Sequence, residues 1–511
     1  MIEVEVHQRL RAFLREQGEP YWPHHLTMAR LVARAMRIGR SALIQAGAPA
    51  GYHARYRLSY LVPALMWMDP VVLVVPETIQ QRLLLVEIPR LRQWISTPKA
   101  IHTGDRTDNA NAQGLILASP QDWLRDRLTT RTQFPNNILT IIDGADDLER
   151  WTQEVLTVDL HPSDWNTLLL AFPLQTEAIH DTRAQLIRSL FQHPSNPYNC
   201  YLLDDQERDY LHQLWVQLQN SPSFPGSMPC RWAKFWDHFH RRDQMVLASV
   251  DREQGQFTLS CSPVEVASAL SQIWPQQPIV LIGSAMDLDT DAAIYRQRLG
   301  MGDVTTLKFS PDRQTELIHL CTPDRIPLPN TPEFQPALIR ELRSLLDASS
   351  IRPGLSVLLV DDLPLKAQVA SVLASEFGSR VQVERTCLDE NGILISGWEF
   401  WRQHQAVLPA PNLLVIATLP IPSLEEPQVA GRVAYYKQSR QDWFRLYLLP
   451  EALSELQRAI APMRESQGVV ALLDNRVNHR SYGQQVFAAL SPSARIQSID
   501  SDLFNHLDYS M

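Results

Sequence analysis

Residues 44 to 53 read Ile-Gln-Ala-Gly-Ala-Pro-Ala-Gly-Tyr-His, an apolar strand entering a loop of small residues, and the helix-like run Leu58-Ser-Tyr-Leu-Val-Pro-Ala-Leu65 follows. Strand, glycine loop and helix, in that order, cradle a nucleotide's phosphates on backbone N–H groups at a helix N-terminus. A loop that hydrolyses the nucleotide also needs a lysine against the β/γ-phosphates and a hydroxyl on Mg²⁺. With Gly47 and Gly51 as the loop glycines, Tyr52 stands in the lysine's place, His53 in the hydroxyl's and Pro49 in a glycine's. Four extra residues before Leu58 allow a second register with Tyr56-Arg57 there, which also lacks Lys-Ser/Thr. No lysine precedes Lys99. The outline of a nucleotide site is present and its phosphate clamp is not.

Other groups could also carry chemistry. Arg231-Trp-Ala-Lys-Phe-Trp-Asp-His-Phe-His-Arg-Arg242 interleaves rings and cations, as single-strand binders do when bases stack on aromatic side chains. Arg231, Trp232, Lys234, Trp236 and Arg241 are the candidates there. At helical spacing, Trp232, Phe235, Trp236 and Phe239 equally make a plain core stripe, the reading we favour. His24-His25 and His238/His240 lack cysteine or carboxylate partners at metal spacing. Asp361-Asp362 ends a strand-like run and could bind a cation, but such a pair more often caps the next helix.

The elements that must position these residues follow from hydrophobic pattern. Val71 to Val75 and Ile138 to Ile142 are unbroken apolar runs bounded by turn signals, as in parallel strands buried on both faces. They alternate with helical patterns such as 26 to 38, implying a doubly wound α/β layer. From about 151 to 245 a Leu-, Gln- and aromatic-rich helical pattern replaces them. Met245 to Val250 and Thr258 to Ser262 then lead, as strands, back to Pro278 to Ile282. A second α/β unit offers Ser356 to Val360, Val381 to Glu384, Leu413 to Thr418 and Val469 to Leu473. The proline-dense Pro323 to Pro332 between the units reads as a linker. The predicted fold is two doubly wound parallel-sheet domains, with domain 1 formed by 1–150 and 246–308. A mostly helical insertion spans 151–245, a linker 309–335 and domain 2 336–511.

The 511 residues are 45% hydrophobic and 20% charged, ordinary globular usage, with a formal net charge of −9. Of 47 basic residues only 5 are lysine, leaving 42 arginines. An acidic whole argues against strong nonspecific DNA affinity without excluding a basic groove. The first 20 residues lack the apolar core of a secretory signal. The longest apolar stretch is broken by Asp69-Pro70, so no membrane span is expected, and a cytoplasmic protein is. The five cysteines are scattered with no Cys-x-x-Cys, pointing to free thiols.

The order of segments resembles the DinG/XPD-type superfamily 2 DNA helicases over nearly the whole chain. Trp22-Pro-His24-His25 is similar to the adenine-side motif, Tyr60 to Leu65 to the helix after the phosphate loop, and Val74 to Leu83 to the DNA-side motif that follows. Ile141-Ile-Asp143-Gly-Ala-Asp-Asp-Leu148 lies where the family writes Asp-Glu-Ala-His, and Gly283-Ser-Ala-Met286 where it writes Thr-Ser-Ala-Thr. Phe309 to Arg313, Leu449-Pro450, Leu473 to Arg476 and Ser481-Tyr-Gly483 continue in family order. The resemblance implies two RecA-like domains with an arch-like insertion, ATP with Mg²⁺ as cofactors, and single-stranded DNA as partner.

The departures from that family carry more information. Asp143 remains as a Mg²⁺ partner, but the glutamate that would orient the attacking water is Gly144, and both threonines of the coupling motif are gone. Phe400 to Gln405 replaces the Glu, Gly and Asp of Phe-Trp-Glu-Gly-x-Asp. Gln428-Val-Ala-Gly-Arg432 imitates the arginine-finger motif at the place of a connecting helix. The finger motif itself falls at Gln457 to Arg464, where Gln457 and Arg464 survive and the central Gly-Arg is Ile460-Ala461. No cysteine precedes Cys200, so the family's iron–sulfur cluster is not expected. A general base is worth about 10²–10⁴-fold and an arginine finger about 10³–10⁵-fold. Vestigial nucleotide-binding residues are then Gly47, Gly51, Asp143, Gln457 and Arg464. The expected function is a helicase-derived protein without hydrolysis that binds single-stranded nucleic acid or a protein partner through the inter-domain cleft. The alternatives are an active DNA-stimulated ATPase using Arg55 or Arg57 in the lysine's place, and an assembly scaffold without nucleic acid.

Overall fold

The computed structural model describes all residues except 19–21, 48–53, 96–97, 105–112, 131–132, 223, 225, 314, 352 and 497–511. Long apolar runs become strands buried on both faces. In chain order these are β1 (Ala42–Gln45), β2 (Val71–Val74), β3 (Ile101–Thr103), β4 (Leu115–Ala118) and β5 (Leu139–Asp143). An insertion carries β6 (Val158–Leu160), β7 (Cys200–Leu202), β8 (Gln244–Asp251) and β9 (Gln256–Pro263). The first sheet then resumes with β10 (Ile279–Gly283) and β11 (Thr305–Lys308). Its seven strands are all parallel in the order β11-β1-β10-β5-β2-β4-β3. The helices Ile2–Gln17, His25–Ile38 and Leu58–Met66 cover one face. Pro120–Arg125, Leu148–Leu156 and Ala293–Arg298 cover the other.

The second sheet contains β12 (Ile318–Cys321), β13 (Leu355–Leu359), β14 (Val381–Val383), β15 (Ile393–Ser396), β16 (Pro411–Ile416), β17 (Val469–Leu472) and β18 (Ser493–Ile496). It too is wholly parallel, in the order β14-β15-β13-β16-β17-β12-β18. Two doubly wound RecA-like sheets with a helix-bearing insertion are therefore the architecture. Asp362 caps the helix Leu363–Phe377 by accepting from the Leu365 N–H at 2.7 Å, so its carboxylate serves backbone donors.

Two segments differ from the expected organisation. The insertion holds four helices of ten residues or more and also a four-stranded antiparallel sheet, β6-β9-β8-β7. The β8–β9 hairpin closes on the insertion's own core through Val246, Ala248, Leu259 and Cys261, so that unit runs on to Pro263 instead of ending at 245. The segment 309–335 contains β12, paired with β17 and β18, ahead of the prolines that break regular structure. Only the part after Cys321 has linker character.

Candidate nucleotide site and the domain interface

β1 runs through Ala46 into Gly47, which has φ +64°, and a Cβ there would lie 2.3 Å from the Phe309 carbonyl oxygen. Only glycine fits that approach. Gly51, Tyr52 and His53, with Pro49, lie outside the described residues. The chain returns at Ala54, makes a 3₁₀ turn over Arg55–Arg57, and enters Leu58–Met66, whose first eight residues are all buried.

Tyr56 and Tyr60, four apart, present their hydroxyls to the end of β5. The Tyr56 hydroxyl donates to Asp143 Oδ1 at 2.6 Å and the Tyr60 hydroxyl to Oδ2 at 2.7 Å. Arg57 Nε donates to the same Oδ2 at 3.3 Å, and its Nη1 lies 3.5 Å from Glu87, which also pairs with Arg82 at 2.9 Å. Arg57 is 1% and Asp143 2% exposed. Burial, and then the charge of Asp143, push both phenols well above their usual range, so they remain donors. Burial works against the Arg57 charge, but Tyr60, Asp143 and Glu87 outweigh it and strengthen the guanidinium. The Asp143 carboxylate, which a divalent cation would need as a hard oxygen ligand, is committed on both oxygens to its own chain. Arg57, the candidate substitute for the phosphate-loop lysine, is likewise turned inward.

The segment expected on the adenine side is filled in the same manner. Trp22 packs edge-on against Phe309 with centroids 5.2 Å apart, and His24 stacks on Phe309 at 4.8 Å and 21°. Trp22 and Phe309 are buried. His25 Nδ1 is 2.9 Å from Ser59 Oγ, which ties this segment to the helix after the loop.

At the next pair of strand ends Asp146 ties the end of β5 to the segment after β10. Asp146 accepts from the N–H groups of Ser284 at 2.8 Å and Ala285 at 2.7 Å, and from the Ser284 hydroxyl at 3.2 Å. Burial raises the affinity of Asp146 for its proton. A Cβ on Gly283 would come within 2.6 Å of that carboxylate, so a larger residue there would displace Asp146.

The surviving pair from the finger motif does not converge on Asp143. Gln457 Nε2 donates to Leu453 O at 3.2 Å within its own helix. Arg464 donates to the carbonyls of Glu316, Pro492 and Ser491, and burial pulls its pKa down to about 10. The residue that does cross to the first domain is Arg458, 3.0 Å from Asp147. Arg432, in the segment that imitates the finger, pairs with Glu149. Nothing in its spacing sets Arg458 apart from the other arginines, and the motif around Arg432 does not announce Glu149 as its partner, so only the assembled fold shows these two crossings. Trp401 packs inside the second domain, its Nε1 donating to Ala459 O at 3.1 Å.

The aromatic stripe of the insertion is core. Trp232 and Trp236 are at most 1% exposed and pack tilted against each other, with Trp165, Trp215 and Phe235 edge-on or tilted around them. Their faces are therefore not presented to bases. Arg231 and Lys234 on the same helix, and Arg241 just past its end, are exposed, with Arg231 3.4 Å from Asp164 and Arg241 2.7 Å from Asp237. Among the described residues no helix is long and apolar enough to cross a membrane.

Two parallel sheets of RecA-like topology, with the candidate nucleotide site at strand ends of the first, are an architecture that comparison with known proteins also finds. Residues 409–493 match the helicase C-terminal domain family. The ATP-dependent DNA helicase YoaA of Escherichia coli K12 is 23% identical over 256 residues, 48% of this chain and 40% of that protein. YoaA of Haemophilus influenzae is 23% identical over 258 residues with the same coverage. The match thus spans two fifths of these relatives. Among solved structures, Xpd4 of S. tokodaii superposes with a TM-score of 0.60 at 12% identity, covering 93% of this chain and all of that one. An apo XPD structure gives 0.57 at 13% identity over 92% of this chain and all of that one. The chain is thus similar to DinG/XPD-type superfamily 2 helicases, in sequence over about half its length and in fold over nearly all of it.

Proposed function

We propose that this protein is a helicase-derived, non-hydrolysing member of its family that keeps the two-domain frame to bind single-stranded nucleic acid. The observation that carries the loss of hydrolysis is the Asp143 carboxylate, held at 2.6 Å and 2.7 Å by Tyr56 and Tyr60 and at 3.3 Å by Arg57. A metal-bridged phosphoryl transfer needs that carboxylate facing Mg²⁺ and a cation at the γ-phosphate. Here the first is consumed and the second is a buried arginine. Support for nucleic acid comes from the DNA helicases to which the chain is similar. A second reading, binding of a protein partner, is favoured by the burial of Trp232 and Trp236, which removes the expected base-stacking platform.

A titration with a labelled single-stranded oligonucleotide and a fluorescent ATP analogue tests both. The first reading requires oligonucleotide binding that weakens steeply with salt, because phosphate contacts release counterions, and no Mg²⁺-dependent gain in analogue affinity. Absence of oligonucleotide binding even at low salt leaves the protein-partner reading. Tight Mg²⁺-dependent analogue binding overturns the account of the site.

A further inference from the structure

We propose that the two RecA-like domains are held closed by a latch of the chain's own charged side chains, so that closure needs no nucleotide. Four residues form a chain of alternating sign that crosses the interface twice. Arg432 of the second domain pairs with Glu149 of the first, Glu149 pairs with Arg298 at 2.5 Å, and Arg298 pairs back to Glu451 of the second. Asp147 and Arg458 make a further crossing at 3.0 Å, and the Ser454 hydroxyl donates to the Ala285 carbonyl at 2.7 Å. Nearer the loop, Arg55 reaches Glu465 at 3.1 Å. The side chains of Arg298, Glu149, Arg432 and Arg458 are between 8% and 13% exposed, so salt screens the Arg432–Glu149–Arg298 core of the latch little, while Glu451 and Asp147 at its ends are more open at 36% and 26%.

Two features make this a specific closure and not an incidental contact. The Nε atoms of Arg298, Arg432 and Arg458 are buried without a partner, so each guanidinium is neutralised only through its terminal nitrogens. Sliding the domains would leave buried charge uncompensated, which costs far more than the pairs gain, and such a network fixes one arrangement. The second feature is Gly431, where a Cβ would lie 2.6 Å from Met245 Sδ and 3.4 Å from Leu202. That close approach seats the helix Pro427–Gln438 on β7 and β8 of the insertion, and turns the next residue, Arg432, onto Glu149 with its guanidinium 4.2 Å over the Tyr447 ring. The segment that imitates an arginine finger thus works as a clasp between the insertion, the first domain and the second. Enzymes that close by hinge motion use a bound ligand to bridge the halves; here fixed charges occupy that role.

The exposed Cys230 on the insertion and Cys387 in the second domain provide labelling sites, with Cys200→Ser removing the half-buried thiol. Single-molecule energy transfer on the full chain should show one narrow distance distribution, unchanged by ATP with Mg²⁺. Arg432→Met combined with Arg458→Met should add a second, longer-distance population, while hydrogen exchange in β2 and β13 stays protected. Should that variant lose its core protection, Glu451→Gln, which keeps the side chain's shape, replaces it with the same two outcomes. Several distances in the unaltered chain, narrowing only when ATP and Mg²⁺ are added, would overturn the proposal, as would a variant distribution identical to the parent's. The readout is independent of hydrolysis, so it can fail without the reading of the nucleotide site failing.

Discussion

Replacing Asp143 by alanine should destabilise the first domain, an outcome quite different from silencing a metal ligand. Its carboxylate accepts from two buried phenols and from a 1%-exposed guanidinium. Hydrogen bonds to a charged group contribute about 1.5–3 kcal/mol each, and stripping a buried ion of its partner costs about 3–5 kcal/mol. These do not add, because all three donors share one carboxylate, and Arg57 keeps Glu87 at 3.5 Å. A loss of about 3–5 kcal/mol results, which for a domain of about 150–250 residues lowers the melting temperature by roughly 6–20 °C. Tyr56→Phe or Tyr60→Phe, which keep the ring and delete one donor, should each cost about 1.5–3 kcal/mol. Thermal unfolding followed by circular dichroism, in the absence of nucleotide, reads these shifts. A melting temperature for Asp143→Ala unchanged from the parent would mean that the carboxylate is free to serve a metal, and the reasoning fails.

Three further outcomes follow from the same contacts. Trp236→Ala should cost about 3–5 kcal/mol through the cavity left in the insertion core, and leave oligonucleotide affinity unchanged in protein that remains folded; a selective loss of affinity would mean that the ring stacks on bases after all. Arg231→Ala, Lys234→Ala and Arg241→Ala together should reduce the salt slope of oligonucleotide binding by about 0.7 for each phosphate contact removed; an unchanged slope removes this helix from the interface. Burial opposes the charges of Asp147 and Glu451, but Arg458 with Arg150 and Arg402 around the first, and Arg298 with Arg432 and Arg458 around the second, hold both carboxyls below their ordinary range. Their stabilisation is therefore complete above the usual carboxylate pKa of about 4 and is lost as pH falls through the lowered folded values. The closed distance distribution should hold at neutral pH and broaden only in acid, and broadening near neutrality would contradict the assignment.

The sequence made legible what depends on neighbours along the chain. Val71 to Val75 and Ile138 to Ile142 announced strands because a strand buried on both faces has no polar alternation to confuse it. β3 and β11 gave no such signal, since His102 and the exposed Thr305 interrupt their apolar character. The absence of a phosphate-loop lysine could be read directly. What replaced it could not, because Tyr56 and Tyr60 meet Asp143 across 87 and 83 residues. The latch was hidden for a similar reason. Arg298, Arg432 and Arg458 are three of 42 arginines, and only the packing of both domains gives them carboxylate partners. Gly431 drew attention as part of a motif, yet its need for glycine comes from Met245 in the insertion.

The central claim is that the chain's own side chains have taken over the metal position of a helicase. The most direct measurement is ATP turnover by the full chain with Mg²⁺, with and without single-stranded DNA. The account predicts no turnover above background in either condition, and no difference between the parent and Asp143→Ala. DNA-stimulated turnover on the order of one per second, the low end of ordinary enzymes, abolished by Asp143→Ala in protein that remains folded, would contradict it.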